Sequence, residues 1–347
     1  MTILKSTDAI RADMLDPLAQ KLADAAARLP QLEEGNVDAA RAFREERGNP
    51  FAPVSCDLAN ISDHEICLAE SAILGRVYTP KSRKGGLLPA LVFYHGGGFV
   101  LGNVEQYDTV AQHIAFRSGC IVVSIDYRLA PDNKIKGIHR DGFNAYQWVI
   151  NNAERLGIDQ GRIAIGGDSA GGNLTIGVIL LCKRQNFSMP DFQVLIYPSV
   201  DLPMRFPSVD EFASGYFLTK KGMKWFRSHY LEIPEQAYDP ELLFLEQNLR
   251  GLPPAFVITA GFDPLRDEGK AFADRLAEYD VAVRHICYTD MIHGFLSFSG
   301  GIGAGMDLID EIGNELQQKF FSRNLRAKKS RTRKSDLIFL KRLKVNR

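Results

Sequence analysis

The sequence predicts an α/β protein built on a mostly parallel sheet with helices on both faces. Three observations carry this expectation. From about residue 90 onward, short apolar runs alternate with helical stretches, the rhythm of repeated strand–helix units. The apolar runs are those of strands covered on both sides. Glycine-rich and polar motifs fall where these strands end, and open α/β sheets collect their chemistry at that edge.

In chain order, residues 8–29 place Ile10, Met14, Leu15, Leu18, Leu22, Ala25, Ala26 and Leu29 at helical spacing, with Thr7 or Asp8 as the expected cap. A second helix is expected near Val37–Arg47, ended by Gly48-Asn49-Pro50. Ile66–Ala72 and Ile73–Tyr78 read as two strands. Further strands are expected at Ala90–Tyr94, Cys120–Ile125, Arg162–Ile165, Gln193–Tyr197, Ala255–Thr259 and Arg284–Tyr288. The helices between them are expected at Tyr107–Arg117, Gly142–Leu156, Asn173–Arg184, Arg266–Glu278 and Gly305–Phe320. Between Pro198 and Pro253 the alternation lapses into aromatic residues and prolines, with one helix at Thr219–Leu231. The expected division is therefore N-terminal helices in 1–50 that join a cap, a catalytic core in 51–197 and 254–322, a cap insertion in 198–253, and a disordered basic tail in 323–347.

Charge and cysteine usage narrow the function classes. Eleven of the 42 basic residues but one of the 42 acidic ones fall in 323–347, leaving 31 basic against 41 acidic residues elsewhere. An acidic body of this kind suits solubility and not a nucleic-acid partner. Read alone, the tail suits docking on an anionic surface or plain solvation, and the second is preferred. Cys56, Cys67, Cys120, Cys182 and Cys287 are scattered and odd in number, which points away from a disulfide framework or zinc site. The first residues lack the apolar core of a signal peptide, and no charge-free run suits stable membrane insertion. A soluble, cytoplasmic protein is expected.

The stretch Gly166-Gly167-Asp168-Ser169-Ala170-Gly171-Gly172 joins an apolar strand to an apolar helix. A sharp strand-to-helix turn that exposes a serine needs glycine on both sides, and Gly167 and Gly171 meet that need. The same stretch lacks the Gly-Lys-Ser/Thr ending of a phosphate-binding loop and does not match a dinucleotide fingerprint in register. After the strand Ala90–Tyr94 comes His95-Gly96-Gly97-Gly98-Phe99. Glycines at a strand end let backbone N–H groups approach a ligand, so Gly97 and Gly98, with the N–H of Ala170, form the candidate oxyanion hole. The Ser169 hydroxyl needs a base, and the base an orienting acid. Of the seven histidines, His293 stands directly after the last strand, whereas His285 lies within it and suits a structural role. Asp263 stands at the exit of the strand Ala255–Thr259, ahead of Asp267 and Glu268 in the next helix. The order Ser169, Asp263, His293 is that of an α/β-hydrolase. Asp168 reads as a neighbour that orients the loop or as a group that tunes His293, and Asp126 and Arg128 as an ion-paired turn.

His95-Gly96-Gly97-Gly98, Asp126-Tyr127-Arg128-Leu129-Ala130-Pro131, Gly167-Asp168-Ser169-Ala170-Gly171-Gly172-Asn173, Tyr197-Pro198, Asp263-Pro264-Leu265-Arg266-Asp267-Glu268-Gly269 and His293-Gly294-Phe295 together resemble the hormone-sensitive lipase family of α/β-hydrolases. The Asp168 version is similar to its GDSAG group of microbial esterases. The resemblance runs from about residue 10 to about residue 320. It implies a serine carboxylesterase for short- to medium-chain acyl esters, a small-molecule ester substrate, a cap over the site and often a homodimer. It also implies Ser169 as nucleophile, His293 as base, Asp263 as orienting acid, and Gly97, Gly98 and Ala170 as oxyanion donors. The expected reaction calls for no metal or organic cofactor. Amide, lactone or carbamate hydrolysis on the same residues is the alternative, and a non-catalytic ligand receptor on this fold a more distant one. Asn133-Lys134-Ile135-Lys136 departs from the family pattern as a more basic loop, and the tail has no counterpart there.

Overall fold

Among the described residues eight strands form one sheet, in which the third and fourth strands of the chain exchange places and the others follow in chain order. The computed structural model describes residues 11–69, 71–81 and 85–322. The strands are β1 (Asn60–Cys67), β2 (Ala72–Thr79), β3 (Leu88–Tyr94), β4 (Ile121–Asp126), β5 (Ile158–Asp168), β6 (Phe192–Ile196), β7 (Ala255–Phe262) and β8 (Val283–Ile292). β1 pairs antiparallel with β2, and β2 with β4, while every pairing from β4 through β3 to β8 is parallel. The helices are α1 (Pro17–Ala27), α2 (Val37–Arg47), α3 (Asp108–Ser118), α4 (Ile135–Asn151), α5 (Ala170–Gln185), α6 (Ser208–Glu211), α7 (Lys220–Tyr230), α8 (Arg266–Glu278) and α9 (residues 303–322).

Strand pleating divides the core into two apolar layers. Ala90, Val92 and Tyr94 of β3 face one layer with Ile138 and Val149 of α4, Leu174 and Val178 of α5, and Phe272 of α8. Leu91 and Phe93 face the other, with Val110 and Ile114 of α3 and Leu308, Ile312 and Leu316 of α9. This is the expected sheet with helices on both faces.

Several boundaries differ from the sequence reading for identifiable reasons. Thr7 and Asp8 lie outside the described residues, and the first helix starts only at Pro17, where Asp16 accepts from the N–H groups of Leu18 and Ala19. A proline at the first helical position after an aspartate is the stronger start signal. The first strand begins six residues before the expected Ile66, in a polar stretch that the apolar pattern does not flag. It is an edge strand, mostly exposed, and its His64 bonds Ser62 Oγ at 2.9 Å. α4 starts at Ile135 instead of Gly142, which makes Ile135 and Lys136 its first turn and not part of a basic loop. Lys136 is paired with Asp239 and Glu241, and Lys134 donates to the His229 carbonyl. The expected helix at Thr219–Leu231 is α7, capped by Thr219, whose hydroxyl accepts from the Gly222 N–H. No helix among the described residues is long and apolar enough to cross a membrane. The basic tail 323–347 lies outside the described residues.

Candidate active site

β5 delivers Ser169 and α5 begins one residue later, so the serine occupies the turn between them. Its backbone is at φ 56° and ψ −116°, a conformation that costs a non-glycine residue about 1–3 kcal/mol and persists only where the surroundings enforce it. They do so by close approach: a Cβ on Gly171 would lie 2.0 Å from the Tyr94 carbonyl oxygen, and one on Gly167 2.4 Å from the same atom. The end of β3 is thereby pressed against the turn, which brings the glycine run that follows β3 alongside Ser169.

Ser169 Oγ is 2.9 Å from His293 Nε2, and His293 Nδ1 is 2.7 Å from Asp263 Oδ2. The carboxylate only accepts, so Nδ1 donates to it, and in the neutral ring this leaves Nε2 as the acceptor for the serine hydroxyl. Asp263 is fully buried and its other oxygen accepts from the Leu265 N–H at 2.8 Å, which fixes the carboxylate plane. The Tyr197 ring stands edge-on to the imidazole with centroids 4.8 Å apart. The last strand runs on to Ile292, farther than Tyr288, so Asp290 and Met291 are strand residues and His293 is the first residue beyond.

Gly97 has φ 121° and Gly98 φ 63°, both open to glycine at little cost. The loop folds back on itself, with the N–H groups of Val100 and Leu101 donating to the Gly97 carbonyl. The N–H groups of Gly97, Gly98 and Ala170 meet no protein acceptor among the described residues, and all three residues line the cavity with Ser169. His95 is buried, stacked on Tyr127 at 4.4 Å, and donates from Nδ1 to the Gly96 carbonyl at 2.7 Å. Burial pushes its imidazole down to about 4, so the ring is neutral at pH 7.

Asp168 resolves toward loop orientation. Its carboxylate accepts from the Gly96 N–H and from the Tyr107 hydroxyl, each at 2.8 Å, and so ties the glycine run to the serine turn. Burial pushes its pKa up to about 6 against those two hydrogen bonds. Tyr107 was not legible as part of this arrangement: as the residue before α3 it carries no motif. Arg128 pairs with Asp141 at 2.7 Å, and Asp126 accepts from the Val104 N–H at 3.1 Å. His285 stays in β8 and bonds Thr259 Oγ1 at 2.9 Å, as a structural residue does. In α8, Glu268 is buried and accepts from the N–H groups of Val200 and Asp201, so it anchors the start of the insertion instead of meeting only its own helix.

A cavity of about 660 Å³ lies over Ser169. Leu18 and Leu22 of α1, Phe43 of α2, and Phe217, Met223 and Phe226 from the insertion contribute to its wall. A deep, largely apolar chamber ending on a serine–imidazole–carboxylate chain and free N–H donors can take a small acyl compound and stabilise charge on an attacked carbonyl.

Residues 91–297 match the sequence pattern of the α/β-hydrolase fold, and the chain belongs to that family, which fits the resemblance to hormone-sensitive lipases. It is 37% identical over 256 residues to the carboxylic ester hydrolase LipN of Mycobacterium tuberculosis, covering 71% of this chain and 68% of that protein. It is 33% identical over 263 residues to an ethyl acetate hydrolase of Pseudomonas putida, covering 73% of this chain and 83% of the relative. Among solved structures it is similar to the ester hydrolase EH1AB1 from the metagenome of Lake Arreo, complexed with a derivative of bipyridine phosphonate. That likeness has a TM-score of 0.85 and 38% identity over 88% of this chain and 99% of the other.

Proposed function

We propose that the protein is a serine carboxylesterase in which Ser169 is the nucleophile, His293 the base and Asp263 the orienting acid. The observation that carries this reading is the unbroken chain of 2.9 and 2.7 Å hydrogen bonds from Ser169 through His293 to Asp263 at the floor of the cavity. As Oγ attacks an ester carbonyl carbon, its proton passes to Nε2, and the imidazolium that forms faces the buried Asp263 carboxylate. The carbonyl oxygen takes up the electron pair and is received by the N–H groups of Gly97, Gly98 and Ala170. Each such donor is worth about 3 kcal/mol in the transition state, and the N-terminus of α5 adds its dipole. The Nε2 proton then goes to the leaving alkoxide, and a water molecule repeats the sequence to release the acid from Ser169.

The volume and apolar wall of the cavity favour short- to medium-chain acyl groups. The wall is supplied by both 1–50 and 198–253, which supports reading these as a cap over a core made of 51–197 and 254–322. None of the five cysteines is in a disulfide, which suits a reducing, cytoplasmic setting. A homodimer, as the resemblance implies, is tested by sedimentation. The activity is tested by hydrolysis of a p-nitrophenyl ester series from acetate to laurate by the wild type and by Ser169→Ala. Release by the wild type alone, highest at short or medium chains, is expected. Equal release by both proteins rejects Ser169 as nucleophile. Parallel assays with anilide, lactone and carbamate substrates decide whether another acyl group is preferred.

A further inference from the structure

Three cationic side chains in the wall of the cavity above Ser169 have no hydrogen bond or ion pair among the described residues: Lys21 of α1, and Arg44 and Arg47 of α2. Lys21 and Arg47 are exposed, but Arg44 is half-buried. It stands, with Leu101 and Gln106, in the partition between this cavity and a neighbouring one of about 590 Å³. The other guanidiniums of the partition region are committed. Arg41 donates to the carbonyls of Val100 and Ala130, and Arg128 clasps the Asp141 carboxylate. The acids facing the main cavity are committed too, apart from the exposed Glu33: Asp168 to Gly96 and Tyr107, and Asp201 to Arg205. On the partition itself the buried Gln106 Oε1 also has no partner.

A half-buried guanidinium with open donors has lost part of its hydration without a directly bonded anion, Glu45, Asp126 and Asp132 only sharing with it the lining of the neighbouring cavity. Its position bears on the reaction. Burial dominates the raised pKa of Asp168, and the positive charge of Arg44 acts on that carboxyl in the opposite sense, so the guanidinium lies within electrostatic reach of the residue adjoining Ser169.

We propose that Arg44 receives a carboxylate carried by the substrate, making half-esters of dicarboxylic acids preferred over neutral esters of similar size. The planar fork of Arg44 suits a carboxylate in two parallel hydrogen bonds, while Lys21 and Arg47 add attraction toward the mouth. This inference rests on the ester-hydrolase reading of the same cavity.

The test compares kcat/KM for monoethyl succinate and ethyl butanoate, followed by proton release at pH 7.5 in the wild type, Arg44→Gln and Arg44→Lys. The ratio of the two values is expected to fall at least tenfold in Arg44→Gln, chiefly through KM for the half-ester, the scale of a lost charge-assisted contact. Arg44→Lys should recover part of it, because it restores the charge without the fork. A merely structural role for Arg44 would lower both substrates together, and a ratio unchanged within twofold overturns the proposal while leaving the esterase reading intact. A second arm follows binding of the same two esters to Ser169→Ala, with and without Arg44→Gln, by ligand-observed NMR. If the wild type hydrolyses neither ester, the p-nitrophenyl series decides the esterase reading separately, and this arm still decides the proposal: half-ester binding that depends on Arg44 supports it, and binding indifferent to Arg44 overturns it.

Discussion

The buried carboxyl of Asp168 makes stability depend on pH in a direction opposite to that of an ordinary ion-paired aspartate. Burial pushes its pKa up to about 6, only partly countered by the hydrogen bonds from Tyr107 and Gly96. In the unfolded chain an aspartate titrates near 3.9. Between about pH 4 and pH 6 the folded protein therefore keeps a proton that the unfolded chain has released. The associated stabilisation is fully present below about pH 4 and is lost as pH rises through about 6. Two pKa units correspond to about 3 kcal/mol. With an unfolding entropy of about 2.1 cal/mol/K per residue over 347 residues, that is a shift of about 4 °C in Tm. Asp168→Asn removes the titration but keeps one oxygen to accept from the Gly96 N–H. Scanning calorimetry at pH 4, 5, 6 and 7 should show Tm of the variant minus Tm of the wild type rising by about 4 °C across this range. A difference that stays flat, or that falls with pH, would refute the assignment of a raised pKa to this carboxyl.

Other expected outcomes test the geometry piece by piece. Asp263→Asn should lower kcat roughly 10⁴-fold with the fold retained, because Nδ1 loses the acceptor that sets the imidazole tautomer; circular dichroism and steady-state rates check both halves. Gly171→Ala places a Cβ 2.0 Å from the Tyr94 oxygen and 2.8 Å from the His95 oxygen, so it should destabilise the protein by about 3 kcal/mol or more and pull Ser169 out of line with the glycine run. Denaturant titration and turnover measure the two effects. Phe226 packs over Gly98 in the cavity wall, and Phe226→Ala should move the optimum of the p-nitrophenyl series toward longer acyl chains. An unchanged profile would place acyl selection elsewhere.

The parts legible in the sequence were those fixed by local chemistry. A serine flanked by Gly167 and Gly171 between an apolar strand and an apolar helix admits few backbone shapes, and a glycine run after β3 likewise. His293 and Asp263 could be picked out because both follow strands, and parallel strands deliver their ends to one edge. What escaped the sequence was set by tertiary contact. β1 is an exposed edge strand whose Asn60, Ser62, Asp63 and Glu65 look like loop, and pairing with β2 decides its conformation. α4 begins earlier than its apolar pattern suggests because Ile135 and Ile138 are drawn into the layer formed with α5. Tyr107, 61 residues before Asp168, and Arg44, in a helix of mostly charged residues, carry no local signature at all. Their roles arise only when α2, the glycine loop and the serine turn are folded against one another.

The central claim is that Ser169 Oγ is the atom that attacks the acyl carbon. Incubation with an excess of p-nitrophenyl ethyl butylphosphonate, followed by quantitation of released nitrophenol and peptide mass spectrometry, tests it most directly. The account expects one nitrophenol per chain, loss of esterase activity in the same proportion, and the phosphonyl group on the peptide bearing Ser169. Inactivation with the group on any other residue, or undiminished turnover by a fully labelled Ser169, would contradict it.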